Sequence, residues 1–139
     1  MGLRPGRSQR QACDPRRSQG HRGNQQQEAL RTALGRSLAR SHGCFSCHGE
    51  EGRARQPNPG SLKGYIPSWE GDDFTELVHD GTELRAWIED GNIARLQGNP
   101  AARIFMDRQR IKMPAYKGVL SEEEINRVIA YIRWLRDAE

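Results

Sequence analysis

Cys44-Phe45-Ser46-Cys47-His48 is the stretch of this chain in which residue type and spacing together specify a chemistry. Two thiols three positions apart, with an imidazole directly after the second, can add to the two vinyl groups on one side of a haem while the imidazole reaches the iron from below. Three other readings compete: a structural zinc knuckle, a thiol–disulfide redox pair, and chance. Zinc needs four ligands, and beyond Cys44 and Cys47 the chain offers Cys13, His21, His42, His48 and His79 with no second paired motif to complete a site. A redox pair usually follows a strand in an α/β fold, and no such pattern surrounds this one. The spacing therefore favours one covalently attached haem.

A six-coordinate haem needs a second strong ligand, which turns the remaining methionines and histidines into candidates. Met113 precedes Pro114 in a segment just ahead of a well-marked last helix, where a loop can reach back over the other face of a haem. Its plain alternative is core filling, the usual role of methionine. Met106 lies among Ile104 and Phe105, so core filling suits it better, and Met1 belongs to the front end. His79 sits in a short helical stretch between Val78 and Asp80 and reads as a surface or internally satisfied histidine. His42 precedes the attachment motif too closely to cross to the far side.

Helices must position these groups. Leu30, Ala33, Leu34 and Leu38 recur at three- and four-residue spacing, which predicts an amphipathic helix over residues 27–42, stopped by Gly43. At the other end Ser121 precedes Glu124 by three positions, the pattern of a capping box in which each side chain satisfies the other's free backbone N–H. The helix that follows, residues 122–137, puts Ile125, Val128, Ile129, Ile132 and Leu135 on one face, with Tyr131 and Trp134 flanking it. Between these elements, Asp73 to Val78 and Thr82 to Glu89 read as short helices separated at Asp80-Gly81, and Pro100 to Asp107 as a third. No stretch alternates apolar and polar residues for long enough to predict a strand, and there is no internal repeat. The expected class is all-α.

A chain of 139 residues makes one domain with one core. Its hydrophobic fraction is 35%, so side chains alone build a thin core that a bound cofactor could thicken. No apolar run approaches the ~20 residues needed to cross a bilayer, and the first thirty residues lack the apolar centre of a signal peptide. The net charge of +4 averages two unlike parts: residues 1–40 carry nine arginines against Asp14 and Glu28, whereas residues 41–139 carry 13 Lys and Arg against 16 Asp and Glu. The body is mildly acidic, and the front-end arginines are not interleaved with aromatics, which excludes a nucleic-acid-binding reading. Residues 1–26 hold almost nothing that can be buried and read as a disordered basic tail, either a mis-assigned start or a piece of an upstream region. Arg16-Arg17 lacks the apolar stretch of a twin-arginine export signal, and Arg10-Gln11-Ala12 before Cys13 lacks the apolar triplet of a lipoprotein site. The domain is expected at residues 27–139.

Over that range the chain resembles a monohaem class I cytochrome c. Gly35, Leu38, Gly43, Cys44, Cys47, His48 and Gly49 fall on the family's G-x-x-L helix and its G-C-x-x-C-H-G motif. Lys112-Met113-Pro114-Ala115-Tyr116, Leu120 to Ile125 and Ala130-Tyr131-Ile132 resemble its distal loop and last helix. The resemblance implies the cytochrome c fold, in which N- and C-terminal helices cross beside the haem with short helices and loops between. It also implies one haem c held by thioethers to Cys44 and Cys47, with His48 as proximal and Met113 as distal iron ligand. Pro59, in Asn58-Pro59-Gly60-Ser61-Leu62, is the nearest match to the family's proline whose carbonyl accepts the proximal imidazole's proton, with Pro57 in reserve. Trp69, Trp87 and Tyr65 are the aromatics that could reach a propionate. Such a domain works outside the cytoplasm, in the periplasm or facing that side. The implied role is one-electron exchange with a donor and an acceptor protein, as a carrier or as the electron-transfer domain of a larger redox assembly, rather than catalysis. Membrane contact would come only through a partner or an anchor outside this sequence. The competing role is a haem sensor or peroxidase-like enzyme whose Met113 leaves the iron, which would need a distal base or guanidinium near the vacated position, with Arg110 and Lys112 nearest in sequence.

Overall fold

The computed structural model describes residues 15–139. Residues 1–14, which include Cys13 and the first part of the expected tail, lie outside them. Helix α1 (Pro15–Ser41) leads into the short α2 (Cys44–His48), a 3-10 turn (Glu50–Gly52) and a two-stranded antiparallel ladder of β1 (Gln56–Pro57) and β2 (Tyr65–Ile66). Helices α3 (Asp72–Leu77), α4 (Gly81–Asp90), α5 (Ala94–Gln97), α6 (Pro100–Arg108) and α7 (Glu122–Asp137) follow. The class is all-α, as the periodicity predicts.

The capping box that opens α7 is formed, with Ser121 Oγ accepting from the Glu124 N–H and Glu124 Oε2 accepting from the Ser121 N–H. Ile125, Val128, Ile129, Ile132 and Leu135 are buried along one face of α7, where they form the centre of the core with Phe45, Trp69, Phe74, Leu84, Ile88 and Leu120. Tyr131, expected at the flank, is instead 1% exposed at the centre, and half-exposed Trp134 stacks on its outer side.

Helix α1 starts earlier than Gln27 and buries a different face from the one its leucines suggest. It runs back to Pro15, so residues 15–26 are helical where disorder was expected. Proline suits a first helical position, and the arginines and glutamines between 16 and 26 have good helix propensity that works against the weak formers Gly20, Gly23 and Asn24. Residues 20–31 are exposed throughout, Leu30 at 61% among them. The face that packs on α7 is made of Gly35 and Ala39, both buried, with Leu38 beside them. Small residues win here because the two helix backbones approach closely, and Leu30 and Leu34 lie outside that contact.

The ladder pairs Gln56 with Ile66 and Pro57 with Tyr65. It is too short to leave an alternating pattern in sequence, yet it folds residues 65–69 back beside α2. The Trp69 N–H then donates to the Gly52 carbonyl at 2.7 Å, which fixes the returning segment against the turn after the attachment motif.

Candidate haem site

In a helix, positions i, i+3 and i+4 share a face, so the single helical turn of α2 turns Cys44, Cys47 and His48 the same way. Phe45 faces inward, buried edge-on against Trp69 and Tyr131, and anchors that turn to the core. The three motif side chains line a cavity of about 370 Å³. Its far walls are mostly apolar, with Leu77, Val78, Leu84, Ile88, Val128 and Ile132 among them, and Met113 lines the same space.

His48 is oriented by its backbone surroundings. Nδ1 lies 3.1 Å from the Pro67 carbonyl oxygen, and the ring sits beside Trp69 with centroids 5.1 Å apart. A carbonyl can only accept, so Nδ1 carries the proton and Nε2 keeps its lone pair for a metal. Burial pulls the imidazole below its ordinary range, with the Pro67 contact opposing, which keeps the ring in the neutral form that ligation requires. Burial likewise pushes the Cys44 thiol up.

The carbonyl acceptor is therefore Pro67, not Pro59. Pro59 directs its carbonyl to the Arg110 N–H at 2.9 Å, and Pro57 lies in β1 opposite Tyr65. The ladder explains the change: it brings the residue after β2, rather than the loop between the strands, next to the imidazole.

Met113 is held from two sides. The following segment is tied to the end of α4 by the Tyr116 N–H on the Ile88 carbonyl (2.9 Å) and the Lys117 N–H on the Glu89 carbonyl (3.1 Å). At Gly91 (φ 69), the C-cap of α4, an added Cβ would stand 2.3 Å from the Met113 carbonyl oxygen, so the loop can lie this close only against glycine. On the other side Asn58, 2% exposed, grips Ile111 at both ends: Nδ2 donates to its carbonyl at 3.0 Å and Oδ1 accepts its N–H at 2.8 Å. Met106 and His42 also line the cavity, whereas His79 does not. Met106 is half-buried and its sulfur accepts from Gln109.

All three aromatics named as propionate contacts line the cavity. Trp87 Nε1 donates to the Leu77 carbonyl (2.9 Å) and the Tyr65 hydroxyl to Asp73 (2.7 Å), leaving the Trp69 indole N–H as the one without a partner among the described residues. Sequence reasoning missed Pro67, Asn58 and Glu51. Glu51 has a left-handed backbone (φ 59) and accepts from Arg36 at 2.6 Å, from Arg40 and from the Tyr131 hydroxyl at 3.0 Å. It thereby ties α1 and α7 to the turn just after His48. Those hydrogen bonds, led by Arg36, hold its carboxyl down to about 2, while burial and Glu51 push the Tyr131 hydroxyl up to about 12.

The donor set fits a haem: two thiols and an imidazole on one helix face, a thioether from the loop before α7, and apolar walls between. Among the described residues no group of three or more His, Cys, Asp or Glu side chains forms an alternative metal site. Terminal helices packed together beside such a cavity define a class I c-type cytochrome domain. Residues 31–132 match the family model described as cytochrome C oxidase, cbb3-type, subunit III, and the chain belongs to that family. No curated protein and no solved structure matches it.

Proposed function

We propose that the chain carries one haem c, joined through thioethers to Cys44 and Cys47, with His48 and Met113 as the two axial ligands, and that it exchanges single electrons between redox proteins outside the cytoplasm. The observation that carries this reading is the common cavity lined by the attachment motif and by Met113. Bound there, the haem supplies an iron that gains or loses one electron without making or breaking a bond. The chain's own part is to hold the ligands still. Pro67 fixes the proximal ring, the ties from Ile88, Glu89 and Asn58 hold the distal loop, and apolar walls keep water from the metal. Two firm axial ligands leave no position at which a substrate could be activated, which favours a carrier, or the electron-transfer domain of an oxidase assembly, over a sensor or peroxidase.

The test is export of the chain in a host with haem-attachment machinery, followed by denaturing electrophoresis with haem staining and a haemochrome spectrum. One haem per chain that survives denaturation is expected for wild type, with loss of covalent haem in the Cys44→Ala, Cys47→Ala double variant. Haem that extracts freely from wild type would overturn the reading.

A further inference from the structure

Four side chains form an unbroken row of rings from His48 to solvent. His48 lies beside Trp69 with centroids 5.1 Å apart, Trp69 packs edge-on against Tyr131 at 6.1 Å, and Tyr131 stacks on Trp134 at 5.8 Å with the planes 23° apart. The inner members are shielded, Trp69 at 6% and Tyr131 at 1% exposure, whereas Trp134 is 50% exposed on the outer side of α7. Core packing accounts for the inner rings, but an indole left half in water buries little of the area that makes tryptophan useful in a core. Indole and phenol rings can also each give up one electron, and this row offers three of them in contact, leading away from the side chain that would hold the iron.

A phenol gives up an electron readily only if its proton can leave at the same time. The Tyr131 hydroxyl donates to Glu51, at 3.0 Å to Oε2 and 2.9 Å to the backbone carbonyl. Arg36 above all keeps that carboxyl ionised at neutral pH, so a base stands within hydrogen-bond reach in the form that can accept. The other two tyrosines lack this combination. Tyr65 donates to Asp73, but no second aromatic ring packs on it among the described residues, and Tyr116 donates to the His42 carbonyl, which cannot take a proton.

We propose that Trp134, Tyr131 and Trp69 form a path for single electrons from the His48 side of the cavity to the surface between α1 and α7, with Glu51 as the proton acceptor of Tyr131, and that its substrate is a one-electron oxidant arriving at Trp134. The oxidant takes an electron from the Trp134 indole. Tyr131 returns that electron to Trp134 and passes its phenolic proton to Glu51, leaving a neutral tyrosyl radical hydrogen-bonded to a protonated carboxyl. Trp69 is the one ring between that radical and His48. The link beyond Trp69 rests on the haem c reading above, whereas the steps at Trp134, Tyr131 and Glu51 do not.

The test uses the haem-loaded full chain in its ferric form and pulse radiolysis in bromide, where the dibromide radical anion takes one electron and leaves two bromide ions. Freeze-quenched electron paramagnetic resonance should show a tyrosyl radical whose splitting collapses when the tyrosine rings are deuterated. Trp134→Phe, at a half-exposed position, should lose most of that signal. Tyr131→Phe, which keeps the ring, should abolish it, leave a tryptophanyl radical and raise the oxidised Trp134 found by peptide mass spectrometry. Glu51→Gln, which keeps a hydrogen-bonding group but no base, should lower the tyrosyl yield at least about tenfold. A tyrosyl signal of wild-type size in Tyr131→Phe or in Trp134→Phe would overturn the path, and one of wild-type size in Glu51→Gln would overturn the role of Glu51. In the reduced chain the radical should disappear in wild type and reappear in Trp69→Phe; a radical that survives in reduced wild type would overturn the link to His48. Covalent haem staining of the same samples reports on the haem reading separately.

Discussion

A Cβ placed on Gly35 would stand 1.8 Å from the carbonyl oxygen of Arg127. The crossing of α1 and α7 is thus closed backbone to backbone at this point, with Tyr131 Cβ the nearest side-chain atom. No rotamer relieves a clash with a carbonyl. Gly35→Ala should destabilise the domain by about 3 kcal/mol through overpacking. Gly23→Ala on the same helix, where nothing lies within 4 Å of the added Cβ and the chain is exposed, should instead stabilise it slightly, by about a few tenths of a kcal/mol at most. Urea unfolding of the two variants side by side checks both signs.

Acid sensitivity should run through Glu51. Its carboxyl titrates near 2 in the folded chain against an ordinary 4.5. Above 4.5 the carboxyl is ionised in both states and its stabilisation is complete. Between 4.5 and 2 the unfolded chain takes up a proton that the folded chain does not, so stability falls as pH falls through that window. Glu51→Gln should lower stability at neutral pH and flatten its decline between pH 4.5 and 2 by up to one proton's worth of slope. Glu83, held near 2 mainly by Arg95, keeps the remaining slope from vanishing. Thermal unfolding at a series of pH values gives the comparison.

Features encoded locally were readable from the chain alone. Cys44, Cys47 and His48 announce themselves because one helical turn suffices to align them, and Ser121 with Glu124 because a capping box is complete within four residues. The position of the carbonyl acceptor was not, since it depends on which residue a two-residue ladder delivers to His48. Spacing to a familiar turn pointed to Pro59, eleven residues after His48, while the ladder presents Pro67. The leucines of α1 misled for a related reason. Hydrophobic spacing marks a face able to be buried, but contact with α7 is decided by how closely two backbones can come, and Gly35 and Ala39 carry almost no hydrophobic signal. Glu51, a polar residue in a short turn, gives no pattern at all.

Asn58 should matter more than its distance in sequence from Met113 suggests. Asn58→Ala leaves the Ile111 N–H and carbonyl without their buried partner, at a cost of about 2 kcal/mol. Because Ile111 is two residues from Met113, the haem-loaded variant should also weaken the methionine–iron absorption band at a lower temperature or pH than wild type. Loss of stability with an unchanged band would restrict Asn58 to a structural role.

The front end should be dispensable. Residues 20–31 are exposed, and between residues 20 and 41 the first buried position is Gly35. A chain beginning at Gln25, given an export signal, should take up haem to the level of the full chain and unfold at nearly the same urea concentration. Failure to incorporate haem would make residues 1–24 part of the folding unit.

Met113→Ala separates carrier from sensor. Cys44 and Cys47 should still hold the haem, so covalent staining is unchanged, but the distal position opens. The ferric variant should bind cyanide or imidazole at least about tenfold faster than wild type, and its reduction potential should fall, because methionine ligation favours the reduced iron. Peroxidase-like turnover should appear in the variant and be absent from wild type at neutral pH. Ferrous wild type that already binds carbon monoxide as fast as the variant would show that Met113 is not a firm ligand and move the reading to a sensor or enzyme. A variant that keeps a low-spin spectrum would point to another ligand. Met106, which lines the same cavity, is then the first residue to replace, ahead of His79, which does not.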